Sequence, residues 1–310
     1  MSAAAPVAPD AAGARTRLRW WIRDLLVNPW GKPRFLWIVG VGYVAWTLLP
    51  IVLAVLFSFN PGRSISSWQG FSLRWYLRDP NDSLLHDPEL RQAIVQSLKL
   101  AMGTVAIAVP LGVAFALGTD RWRGRSSAAT NFLMMFSLVT PELILAVALF
   151  LLFINLFKFV GLGTPAQLLG MVVLSMAYVV VIVRARLLSL GKEYEEAAMD
   201  LGASPVGAIR RVLLPLLLPA TLASAAIVFA FILDDFVMAS ALSLDASTET
   251  IAIKIYSAAR TGPTPAVNAL GSLMLFISTI VIALAVALFR RLTRGERQRA
   301  SVAKDISFQL

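Results

Sequence analysis

Long apolar runs separated by polar loops dominate this 310-residue chain. Six of them reach the roughly 20 residues that a helix needs to cross a bilayer. They cover approximately Phe35–Phe57, Ala93–Leu117, Phe132–Phe153, Ala166–Val183, Leu213–Leu233 and Leu270–Phe289. Within each run the apolar character is continuous and does not alternate. In hydrocarbon every backbone polar group needs an internal partner, so continuous runs predict helices and not barrel strands. The fourth is the shortest and follows Gly161, Gly163 and Pro165. The expected fold class is an all-α membrane protein with six transmembrane helices.

Composition agrees with this pattern. Hydrophobic residues make up 58% and charged residues 15%, and the mean hydropathy is +0.73. A soluble domain averages about 25% charged residues. With no cysteine, disulfides, thiolate metal sites and cysteine nucleophiles are excluded. The one histidine, His86, stands in a polar loop and reads as solvated.

Charge adds an orientation. Of the 28 Lys and Arg, 20 fall in the N-terminal tail, the second loop, the fourth loop and the C-terminal tail. The alternate loops hold seven, and Lys99 sits near the end of the second span, where it can snorkel. Cytoplasmic loops carry the excess of basic residues. Both termini and the long fourth loop are therefore expected in the cytoplasm, in a bacterial inner membrane. The net charge of +10 follows from this bias and does not predict nucleic-acid binding. The domain reading is a cytoplasmic tail at 1–34, a transmembrane domain at 35–290 with a cytoplasmic loop at 184–212, and a second tail at 291–310. The stretch Arg17–Arg23 mixes cations with tryptophan and is expected at the inner membrane face, as a positive-inside anchor. Neither a signal peptide nor a short repeat is expected.

The fourth loop carries the strongest motif. It reads Glu196-Ala197-Ala198, three residues, Gly202, nine residues, then Val212-Leu213-Leu214-Pro215. Tyr194, Ala197, Ala198 and Leu201 fall at i, i+3, i+4 and i+7, one apolar helical stripe. Gly202 ends that helix as a left-handed cap, and Ser204 with Pro205 starts the next. A helix resting on lipid headgroups carries basic residues on its polar face. Here Glu193, Glu195, Glu196 and Asp200 are acidic, which favours a protein partner. The segment resembles the Glu-Ala-Ala loop of type I ABC importer permeases, with Val212 where that family usually has Ile. The resemblance implies that Tyr194, Glu196, Ala197, Ala198, Leu201, Gly202 and Pro215 dock on a separate ATPase subunit. It also implies a second permease subunit, an extracytoplasmic substrate-binding protein, and no catalysis by this chain itself. The chain has no Gly-rich Lys-Ser/Thr phosphate loop. ATP and Mg are thus expected on the partner, with no cofactor here.

Three carboxylates lie inside or at the end of spans. Glu142 follows Pro141 near the middle of the third, and Asp234 and Asp235 end the fifth. Charges in a bilayer are costly and usually line a polar path. No Lys or Arg close in sequence neutralises them, so the path suits a cation, although a purely structural role stays open. Phe136, Phe231 and Phe236 are candidates for cation–π contacts by position. The stretches Leu233-Asp234-Asp235-Phe236-Val237, Ile253-Lys254-Ile255-Tyr256-Ser257 and Pro265-Ala266-Val267-Asn268-Ala269-Leu270 look like spermidine/putrescine permease subunits. That resemblance implies polyamine import. The alternatives are a related permease for ferric iron, thiamine, an opine or a sulfonate, or a secondary transporter that works without ATP.

Overall fold

The computed structural model describes residues 34–64, 67–121, 125–262 and 264–307. The expected N-terminal anchor at Arg17–Arg23 and the loop residue Arg123 lie outside them. The chain divides into two compact units, Met1–Ala54 and Val55–Leu310. The first contributes most of helix α1 (Arg34–Phe57), apolar along its length and containing Pro50.

The second unit is helical throughout its described residues, apart from turns and loops. Helix α2 (Pro88–Arg121) starts where Asp87 accepts the amides of Glu89 and Leu90, at 2.8 and 3.2 Å. Free amides of a first turn need such an acceptor. Helix α5 (Thr164–Leu190) packs along α2. A Cβ on Gly112 would stand 2.7 Å from Val179, so the two backbones approach as only a small residue allows. Helix α8 (Leu214–Asp234) closes a core of α2, α5 and α8, lined by Leu100, Val179, Leu217 and Val228. Helix α11 (Pro265–Ser307) packs on α8 and runs helically into the segment expected as a tail.

Among the described residues five helices are long and apolar enough to cross a membrane: α1, α2, α5, the run Pro205–Asp234, and α11 up to Arg291. The short fourth run of the sequence becomes a 27-residue helix, because Gly163 at φ 94° turns the chain directly into it. The third run is two helices, α3 (Arg125–Val139) and α4 (Glu142–Asn155). Proline disfavours the helical region for the residue before it and has no amide of its own. The expected single span therefore breaks at Thr140-Pro141, and Glu142 opens a new helix there.

A cap at residues 58–87 covers one end of α2. Trp75 is buried and donates its indole N–H to the Asn60 carbonyl at 2.6 Å. Asp79 accepts the amides of Asn81 and Asp82 and the Arg74 guanidinium. The amides of Asp82 and Asn81, then Arg74, hold its carboxyl at about 2, below the ordinary 3.8.

Candidate functional site

Two sites emerge at opposite ends of the helical core. At the Arg121 end, α5 stops at Gly191 (φ 69°) and α6 (Glu193–Asp200) begins. Gly202 (φ 88°) donates to the Met199 carbonyl at 2.9 Å, and Ala203 donates to that of Ala198 at 3.0 Å. These two bonds form a Schellman cap, which needs the left-handed residue that glycine supplies cheaply. Ser204 then accepts the Gly207 amide at 3.2 Å and starts α7 (Pro205–Ala208). Pro215 cannot donate to a carbonyl one turn back. A π-helical turn at Ile209–Leu213 precedes it and lets the chain run on into α8.

The expected stripe is on the surface. Leu201 is 90% exposed, Tyr194 52% and Val206 73%, with Glu196, Ala197, Gly202 and Pro215 also exposed and Ala198 half-buried. Large exposed apolar side chains thus group around two alanines and a sharp turn, as they do at interaction surfaces. Val206 belongs to this surface and was not signalled by the motif. Glu195 turns the other way and is buried.

At the other end, α8 stops at Asp234, and Asp235 takes an extended conformation before α9 (Val237–Ala241). The Asp235 Oδ1 caps α9 by accepting the Met238 amide at 2.9 Å. Asp235 is buried, whereas Asp234 is exposed, so the neighbouring carboxylates diverge. Helix α4 packs on α9 and brings Glu142 against Asp235, close enough for the two carboxyl groups to interact. The Asp235 Oδ2 is buried with no hydrogen-bond donor among the described residues. Two carboxylates that meet repel when both are ionised, and a proton or a cation between them relieves the repulsion. No ion pair among the described residues involves Glu142, Asp234 or Asp235.

The segment that follows Asp235 is tied to α2 and α5. Gln96 of α2 donates to the Gln167 side-chain oxygen of α5 at 2.9 Å. Gln167 in turn donates to the carbonyls of Ala239 and Thr248, at 2.8 and 3.0 Å. Ser97 of α2 accepts the Ile251 amide at 2.9 Å, at the start of α10 (Ile251–Thr261). A Cβ on Gly170 would meet Leu242 at 2.7 Å, so α5 seats the end of this segment closely.

Of the three phenylalanines picked out by position, Phe236 lies nearest this pair in sequence. Its ring centroid stands 4.3 Å from that of Tyr256 on α10, whose ring the Arg260 guanidinium covers at 4.7 Å. Phe231 pairs with Tyr178 at 5.3 Å, and Phe136 is exposed. The i, i+4 spacing of Tyr256 and Arg260 is the signal that could have found this group. Lys254 does not reach the carboxylate pair; it bridges Glu89 and Glu249 at 2.8 and 2.7 Å.

Residues 108–294 match the family model described as "Binding-protein-dependent transport system inner membrane component". The spermidine/putrescine transport system permease protein PotC of Haemophilus influenzae is 34% identical over 247 residues, covering 80% of this chain and 93% of that protein. The putrescine transport system permease protein PotI of Escherichia coli K12 is 33% identical over 270 residues, covering 85% and 93%. Among solved structures, a bacterial ABC transporter involved in import of the acidic polysaccharide alginate superposes with a TM-score of 0.67. That match has 16% identity and covers 92% of this chain and all of the other.

Proposed function

We infer that this chain, which belongs to the family of binding-protein-dependent transport system inner membrane components, is a permease subunit importing a polyamine. It contributes half of a translocation path and leaves ATP and Mg to a separate ATPase subunit. Relatives named for spermidine and putrescine support the cargo class more than any other solute raised from the sequence. A binding-protein-dependent family also sets aside the reading as an ATP-independent carrier.

The observation that carries the cargo class is the Glu142–Asp235 pair with its buried, unsatisfied oxygen. A protonated amine leaving water needs replacement contacts, and carboxylates supply charge-assisted hydrogen bonds. Broken helices expose backbone only where protein or a path covers it. Both carboxylates stand at such breaks. The exposed Asp234 offers a further negative charge beside the pair. Of the nearby rings, Phe236 packs on Tyr256, whose face the Arg260 guanidinium already covers, so the carboxylates supply the contacts for a passing cation. These contacts form a relay of weak sites, with tight binding left to the external binding protein.

On this reading the α6 end faces the cytoplasm, in line with the basic bias of its loops. Leu201, Tyr194 and Glu196 meet the ATPase there. The exposed end of the Glu142–Asp235 site faces the binding protein, and a second permease subunit completes the path. The segments 1–34 and 291–310 flank the permease domain on the cytoplasmic side.

Radiolabelled spermidine uptake, in cells lacking their other polyamine importers, tests the cargo site. Glu142→Gln and Asp235→Asn are each expected to slow uptake about tenfold, the loss that one charged hydrogen bond of about 1.5 kcal/mol represents. The subunits should still co-purify. Normal uptake by both variants would leave the pair a structural feature.

A further inference from the structure

Glu195 is the buried residue of α6, and a guanidinium holds it there. Arg121 Nε donates to its Oε2 at 3.0 Å, and Nη2 donates to Oε1. Asp120 takes the remaining nitrogen, Nη1. A carboxylate leaves water only when such partners replace it, so this two-point contact fixes the rotation of α6 about its own axis. With Glu195 turned inward, Tyr194, Glu196 and Leu201 face out.

Glycines stand at both ends of α6. Gly191 and Gly202, both at positive φ, bracket it, and glycine absorbs backbone rotation easily. A push on α6 could therefore dissipate in its own connections. Arg121 opposes this, being the last residue of α2. Near its other end α2 carries Gln96, which reaches the Ala239 carbonyl of α9 through Gln167 of α5, and Ser97, which accepts the Ile251 amide at the start of α10.

We propose that the Arg121–Glu195 pair is a strut that makes α6 and α2 move as one body, so that displacement of the ATPase-docking helix reaches the carboxylate site instead of being lost at the flanking glycines. The proposal rests on the reading of α6 as the docking helix. Arg121 and Glu195 are positioning residues and touch neither ATP nor cargo.

The test uses the complete importer, with its ATPase, second permease and binding protein, reconstituted in vesicles. Two quantities are read: the ATPase retained per purified complex, and the ratio of ATP hydrolysis with and without cargo-loaded binding protein. Arg121→Glu and Glu195→Arg are each expected to lower that ratio about tenfold, within the ordinary range for coupling between two sites. The ATPase should remain bound, and the double reversal should recover most of the ratio. Arg121→Lys keeps the charge but loses the planar fork, and should give an intermediate loss. Single reversals that keep full stimulation would overturn the strut, as would a double reversal no better than the worse single. Loss of bound ATPase from Glu195→Arg would overturn it too, because Glu195 would then belong to the docking face. Leu201→Glu separates the premise. If that variant keeps its ATPase, the docking reading falls and the strut with it. If it loses the ATPase while the single reversals stay fully stimulated, the strut alone falls.

Discussion

Adjacent residues carry unlike roles at Asp234 and Asp235. Helix α8 ends at Asp234 and the backbone turns extended at Asp235, so one carboxylate is exposed while the other caps α9 and meets Glu142. The presence of three acids in apolar sequence was legible; which two converge was not, because that depends on how α4 packs on α9. Tyr256 escaped notice as a site residue for the same reason, since its contact with Phe236 is made only in three dimensions. Asp79 gives a prediction at this scale. Its carboxyl sits at about 2 in the folded cap, against 3.8 ordinarily. A lowered value means that its contribution is present above about pH 4 and is lost as the pH falls towards about 2. Hydrogen exchange at the Asn81 and Asp82 amides should show protection falling across that window. Asp79→Asn should remove the pH dependence; an unchanged profile in that variant would assign it to another group.

Breaks matter more than lengths for the elements. The apolar runs located five of the crossings well, because continuous hydropathy and helix period are properties of sequence alone. The third run was expected unbroken. Pro141 signalled its break, but hydropathy does not register a missing amide. Loop 184–212 was the most legible feature, because its caps are local: Gly202 ends α6 and Ser204 starts α7 as their residue types require. The inward turn of Glu195 was not legible, because its Arg121 partner lies far away in sequence. Gly202→Val should disrupt coupling at this element. The added side chain meets open space, so crowding is not the reason. The cost is backbone strain of roughly 1–2 kcal/mol for a left-handed residue, and more for a β-branched one. Membrane insertion should be normal, while cargo-stimulated ATP hydrolysis falls. Glu196→Lys should do likewise by reversing charge at the docking face, and full stimulation in both would remove the loop from the coupling path.

For the whole molecule, the breaks and the loop occupy opposite ends of one helical core. Helix α2 runs between them, joined to α6 through Arg121, to α10 through Ser97, and to α9 by way of Gln96 and Gln167 of α5. An importer needs this separation, because ATP binds on one side of the membrane and cargo arrives on the other. The predicted orientation is open to test with reporter fusions. Those after Asn60, Phe159 and Thr248 should report the exterior, and those after Arg123, Lys192 and Arg299 the cytoplasm. A cytoplasmic signal at Thr248 would mean that α3 and α4 do not together make one crossing.

The most direct measurement of the central claim is uptake by proteoliposomes holding the whole importer, with ATP and Mg inside and the cargo-loaded binding protein outside. The account predicts accumulation of radiolabelled spermidine or putrescine that requires internal ATP and is not matched by an anionic or neutral solute. Accumulation without ATP, or of an anion in place of the polyamine, would contradict it.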